Sequence, residues 1–156
     1  MDMDKNLPQN AYKKALIWLG GGHFINDIYT GVLNPIMPFI AAKIGISMAI
    51  ATIILTISHI FSSLLQPLFG FFADNNVKRS FIFWGLILSS LFIPMSAMAN
   101  KPLILVLFII IGSIGSSLFH PQALGFASRF AKYSDVGKAM AVFVAMGTLG
   151  CFFGPV

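Results

Sequence analysis

Apolar runs of about twenty residues constrain this chain more than any other feature. A run of that length covers about 30 Å of hydrocarbon at about 1.5 Å per residue, whereas barrel strands need only about ten alternating residues. The runs fall near residues 15–40, 48–72, 81–99, 103–127 and 139–156, behind a polar tail over residues 1–14. Hydrophobic residues make up 57% of the chain and charged residues 10%, against about 25% charged in soluble proteins. The expected fold class is an all-α membrane protein. The fifth run is still apolar at Val156, and an odd, unfinished span closes a bundle poorly, so the expectation is part of a larger helical domain.

The connectors give an orientation. Lys5, Lys13, Lys14, Lys78, Arg79, Arg129, Lys132 and Lys138 fall on one side, and Lys43 and Lys101 on the other. The positive-inside rule puts the N-terminus, the 74–80 connector and the 129–138 connector in the cytoplasm. The basic residues are scattered, with no aromatic-interleaved patch, so no nucleic-acid partner is expected. The N-terminus lacks the cleavage pattern of a signal peptide.

The first run is also the most polar. Asp27 is the only carboxylate inside any apolar run. A charge at bilayer depth costs roughly 2.5–3.5 kcal/mol on insertion scales, and it is tolerated where it meets a cavity or a partner. His23, Asn26, Asp27, Thr30 and Asn34 recur in steps of three and four, on one face of a helix. One reading is a polar pathway; the other is hydrogen bonding that only holds the bundle together. The second run carries His59, Ser62, Ser63 and Gln66 on a shared face. The fourth carries Gly112, Ser113, Gly115, Ser116 and Ser117, small residues suited to close helix packing, followed by His120-Pro121-Gln122. Asp27 and His120 are the leading candidates for proton handling or substrate contact, with His23, Asn26, His59, Gln66 and Gln122 along the pathway.

Other chemistries lack their signatures. The single cysteine, Cys151, leaves no internal disulfide and no cysteine-based metal site. The histidines offer no paired ligands on one helix and no carboxylate-rich cluster joins them, so no metal, haem or other cofactor is expected. There is no serine elbow, no HExxH helix and no phosphate-cradling loop, and the chain does not read as an enzyme.

Gly70-Phe71-Phe72-Ala73-Asp74-Asn75-Asn76-Val77-Lys78-Arg79 resembles the signature loop of the major facilitator superfamily. Gly70, Asp74, Lys78 and Arg79 match it; Asn75 stands where an arginine is usual and Val77 where a glycine is. Gly150-Cys151-Phe152-Phe153-Gly154-Pro155 is similar to the start of the superfamily's antiporter motif, with Gly150, Gly154 and Pro155 matching. The arginine of the fourth span in many proton-coupled drug exporters is absent; Ile109, Ile110 and Ile111 occupy that region.

Within the superfamily, three blocks resemble the fosmidomycin resistance exporters: Gly22-His23-Phe24-Ile25-Asn26-Asp27, Ser62-Ser63-Leu64-Leu65-Gln66-Pro67, and Gly115-Ser116-Ser117-Leu118-Phe119-His120-Pro121. Gln122 stands where those proteins usually carry a glutamate. The resemblance implies a twelve-helix fold in two halves, of which this chain supplies the N-terminal five-helix portion. It also implies a multi-pass protein of the inner (plasma) membrane, a small-molecule substrate and protons as coupling ion. Gly70, Asp74, Lys78 and Arg79 would brace a cytoplasmic gate, and a C-terminal half would complete the cleft. Two other expectations stand beside transport: a truncated fragment without activity, and a membrane subunit that needs a separate second half.

Overall fold

The computed structural model describes residues 8–75, 79–129, 131 and 133–156. They form five α-helices and two short 3-10 turns: α1 (Gln9–Ile44), α2 (Met48–Asn75), α3 (Arg79–Met95), α4 (Pro102–Arg129) and α5 (Val136–Phe153). Among the described residues there is no strand. Short connections reverse the chain at each end. Gly45 stops α1 with φ 75°, a left-handed conformation that suits glycine, and its N–H bonds to the Ala41 carbonyl. The neighbouring Ile46 N–H reaches the same carbonyl at 3.0 Å.

Among the described residues, four helices are long and apolar enough to cross a membrane: Met48–Phe72, Ser80–Met98, Pro102–Arg129 and Val136–Phe153. α1 has 36 residues, ample length, but it falls outside that group because its middle is polar. It runs without a break through Pro35 and Pro38.

α4 occupies the centre and packs against α1, α2, α3 and α5. Its small residues set the distances. A side chain on Gly115 would have its Cβ 2.6 Å from the Ser89 nitrogen, and one on Gly85 would have its Cβ 2.8 Å from the Gly115 carbonyl oxygen. The α3–α4 backbones therefore touch only because both positions lack a Cβ. Across the α2–α4 seam, Ser58 Oγ meets Ser113 Oγ at 2.8 Å and Ser62 Oγ meets Ser117 Oγ at 2.9 Å. Ser117 gives its own proton to the Ser113 carbonyl at 2.7 Å, so Ser62 is the donor in the second pair.

The buried apolar residues form one cluster toward the α1–α2 turn, with Leu33, Met37, Ile40, Ala51, Ile93, Leu105 and Ile109. Another, around Phe119, Ala123 and Phe143 with Leu19, Ile82 and Leu86, lies toward the N-terminal end of α1. Along α1, His23, Asn26, Asp27 and Thr30 lie between Leu19 and Leu33. Outward faces are greasy: Ile53, Ile57, Ile60, Leu64 and Leu68 of α2 and Val144, Phe152 and Phe153 of α5 are exposed, as helices in contact with lipid or with further helices would be.

Candidate functional site: a carboxylate between two imidazoles

α1 delivers His23, Asn26 and Asp27 to the interior, leaving them 7%, 0% and 9% exposed. α5 makes this possible. Gly147 faces the His23 ring and the Asp27 carboxylate, and any side chain there would strike both. Gly150 lies under the Phe24 carbonyl, and a Cβ at Gly154 would sit 2.6 Å from the Ile28 carbonyl oxygen. Three glycines on one face of α5 thus let α1 lie against it. Gly147 carries the functional weight, and sequence reading missed it; the signal was the recurrence Gly147, Gly150, Gly154.

Asp27 is the hub. His23, one turn earlier on α1, places Nε2 3.2 Å from Oδ2. His120 of α4 places Nε2 3.2 Å from Oδ1. Asn26 Nδ2 donates to Oδ1 at 2.9 Å and to Ser116 Oγ at 3.1 Å. Cys151 Sγ approaches Oδ2 at 3.8 Å. The two imidazoles meet edge to face, with centroids 4.9 Å apart, and His23 stacks on the Phe143 ring at 4.2 Å.

Hydrogen-bond partners fix both tautomers. His23 Nδ1 lies 2.8 Å from the Phe143 carbonyl oxygen, and His120 Nδ1 lies 2.8 Å from the Ser116 carbonyl oxygen. A carbonyl only accepts, so each Nδ1 carries a proton. Each Nε2 then points at a carboxylate oxygen. With neutral rings and an ionised carboxylate, both contacts set lone pair against lone pair. A cation in each contact, or one shared between them, turns repulsion into attraction. Asn26 adds a further open valence: its buried Oδ1 has no partner among the described residues.

The cluster opens on a cavity of about 240 Å³. Asp27 and His120 line it with Thr30, Ser58, His59, Ser62, Ser116 and Cys151. Of the sequence candidates, His23, Asn26, Asp27 and His120 therefore converge, and His59 joins them across the cavity. Gln66 is half-buried on α2, outside the cavity lining. Gln122 is fully buried on α4 and donates to the Phe69 carbonyl at 3.3 Å, tying α4 to α2. Gly70 lies in α2, with the Pro121 ring 3.8 Å from where its Cβ would be. Asp74 lies in the last turn of α2 and Arg79 begins α3, while Lys78 lies outside the described residues. Pro155 is exposed just beyond α5.

One sequence expectation needs correcting. The expectation of no paired ligands on one helix holds for the histidines alone, which lie on separate helices. His23 and Asp27 are themselves a pair on one helix, and with His120 they bring three ligand atoms within 4.8 Å of one another.

A bundle of membrane-crossing helices built round a buried carboxylate and two imidazoles defines a multi-pass membrane protein with a polar interior. The family model of the Major Facilitator Superfamily matches residues 19–156, and the chain belongs to that family of transporters. It is 30% identical over 141 residues to the fosmidomycin resistance protein of Escherichia coli, covering 85% of this chain and 32% of that protein. It is 25% identical over 148 residues to an uncharacterized MFS-type transporter, YfnC, of Bacillus subtilis, covering 95% and 36%. It is 29% identical over 119 residues to a probable nitrate transporter, NarT, of Staphylococcus epidermidis, covering 76% and 30%. The chain thus spans about a third of the length of these curated relatives. No solved structure matches it.

Proposed function

We propose that this chain contributes the first helices of a proton-coupled secondary transporter that exports small molecules. The observation that carries the reading is the His23–Asp27–His120 cluster, buried among membrane helices and opening on a cavity lined in part by hydroxyl and imidazole side chains. Nothing offsets the insertion cost of Asp27 so directly as a proton exchanged at its oxygens. Each imidazole holds its outer N–H on a backbone carbonyl, so the protons that come and go are those between Nε2 and carboxylate. Asp27 and His120, which line the cavity, exchange protons with it; His23 and Asn26 orient the carboxylate; His59, Gln66 and Gln122 serve the pathway. Export is the direction supported by the likeness to a fosmidomycin resistance protein.

In this proposal the chain lies in the plasma (inner) membrane with its N-terminus in the cytoplasm, as the distribution of basic residues favours. Gly70, Asp74, Lys78 and Arg79 brace the cytoplasmic gate, and Gly150, Gly154 and Pro155 form part of an antiporter motif. A second reading, a membrane piece that works only with a separate helical half, is favoured by the span of a third of the relatives' length and by the exposed apolar faces of α2 and α5. The deciding experiment is Asp27→Asn in the intact transporter. It should abolish proton-driven efflux from inverted membrane vesicles while immunoblotting finds a normal amount in the membrane. Efflux at the wild-type rate overturns the role of Asp27.

A further inference from the structure

We propose that His23, Asp27 and His120 form a binding site for a divalent transition-metal ion of the Zn²⁺, Co²⁺ or Ni²⁺ class. The proposal stands on the geometry of the cluster and needs no transport activity.

Two of the three ligand edges already have the length such an ion requires. Metal–nitrogen and metal–oxygen bonds of about 2.0–2.2 Å at tetrahedral angles give ligand–ligand edges of roughly 3.3–3.5 Å. Both Nε2–carboxylate edges are 3.2 Å, and all the ligand atoms lie within 4.8 Å of one another. The His23–His120 edge is the one that must shorten when an ion binds, by a turn of the imidazoles toward each other.

The outer contacts point the same way. A metal-binding histidine almost always donates its remote N–H to a carbonyl or carboxylate, which fixes the ring and turns the other lone pair toward the metal. His23 does so to the Phe143 carbonyl and His120 to the Ser116 carbonyl, each at 2.8 Å. The carboxylate has its own outer partner in Asn26 Nδ2 at 2.9 Å. Two ring lone pairs aimed at the two oxygens of one carboxylate, His23 at Oδ2 and His120 at Oδ1, are unfavourable without a cation, and a divalent ion between the rings and the carboxylate offsets both contacts.

Donor type selects the metal. Two neutral imidazoles and one carboxylate suit Zn²⁺, Co²⁺ and Ni²⁺; Mg²⁺ and Ca²⁺ demand more oxygens than the cluster supplies. Three protein ligands leave coordination positions open, and the cavity of about 240 Å³ beside Asp27 and His120 has room for water or another small ligand there.

The test uses the untagged protein, purified in mild detergent and equilibrated with Co²⁺. Expected are one Co²⁺ per chain after dialysis and the visible ligand-field bands of a four- or five-coordinate ion, abolished by added Zn²⁺. Asp27→Asn and His120→Gln keep side-chain size and should each weaken Co²⁺ binding by more than the roughly 10–100-fold expected for losing an outer contact. X-ray absorption on the Co²⁺-loaded wild type should find two imidazoles in the first shell, a readout that does not depend on the variants folding. Wild-type protein that retains no Co²⁺, or a first shell without two imidazoles, overturns the proposal; so does unchanged binding in both variants. None of these results bears on proton-driven efflux, so failure here and failure of the transport reading are distinguishable.

Discussion

Asp27 shows what a single residue can demand of its surroundings. It is 9% exposed, and two imidazoles, an amide and a thiol approach its carboxylate. Its place at a polar cluster was legible in the sequence, because it is the only carboxylate in any apolar run. His23 and Asn26 were legible too, as members of the same helical face. Their outer partners were not. The Phe143 carbonyl is a backbone atom that no residue pattern marks, and it lies 120 positions from His23. Gly147 matters for what it lacks. The glycines of α1 and α5 can be told apart by substitution. Gly150→Ala drives a methyl group into the Phe24 carbonyl and should destabilise the protein by about 1–3 kcal/mol, as overpacking does. Gly21 has nothing within 4 Å of where its Cβ would be, so Gly21→Ala should leave stability unchanged or raise it by up to about 1 kcal/mol, the gain in helix propensity. Unfolding by denaturing detergent, followed by circular dichroism, measures both. Equal effects would mean that α1 and α5 do not touch as described.

At the scale of the helix, α4 is the organising element. Its buried residues include Leu105, Ile109, Gly112, Ser113, Gly115, Ser117, Phe119 and Gln122, too many for one narrow stripe. Sequence periodicity for that reason gave no inward face for α4, although the small residues at its middle did forecast close packing. The serine pairs with α2 illustrate how such a seam is held. Hydrogen bonds between membrane helices average about 0.6 kcal/mol in mutant cycles, because the separated helices also find partners. A double-mutant cycle on Ser58→Ala and Ser113→Ala should return a coupling of about that size. A coupling of zero would show that the 2.8 Å contact contributes shape alone.

For the molecule as a whole, run length sufficed to read an all-helical membrane fold, since strands do not need twenty apolar residues. The polar middle of α1 leaves it less apolar than the other four helices, and its packing against α5, α3 and α4 makes it an interior member of the bundle. The ends of the helices alternate: the Tyr12 hydroxyl donates to the Ala127 carbonyl at one end, and the Lys43 ammonium donates to the Ala97 carbonyl at the other. The basic residues then predict sidedness. Alkaline phosphatase fused after Asn100 should be active in a bacterial host, and fused after Ser134 it should be inactive. The reverse pattern would invert the proposed orientation and place the Arg129–Lys138 connector outside.

The long reach between α1 and its partners also bears on how the protein is made. Asp27 and His120 are separated by 93 positions, which a ribosome covers in roughly 5–20 s at about 5–20 residues per second. Through that interval α1 has neither the imidazole of α4 nor the glycine face of α5. The α3–α4 hairpin, whose partners are neighbours in the chain, is complete before α5 emerges. Biogenesis therefore imposes an order on the bundle. Of the five helices, the least lipid-soluble emerges before its partners and gains its α4 and α5 contacts only after them.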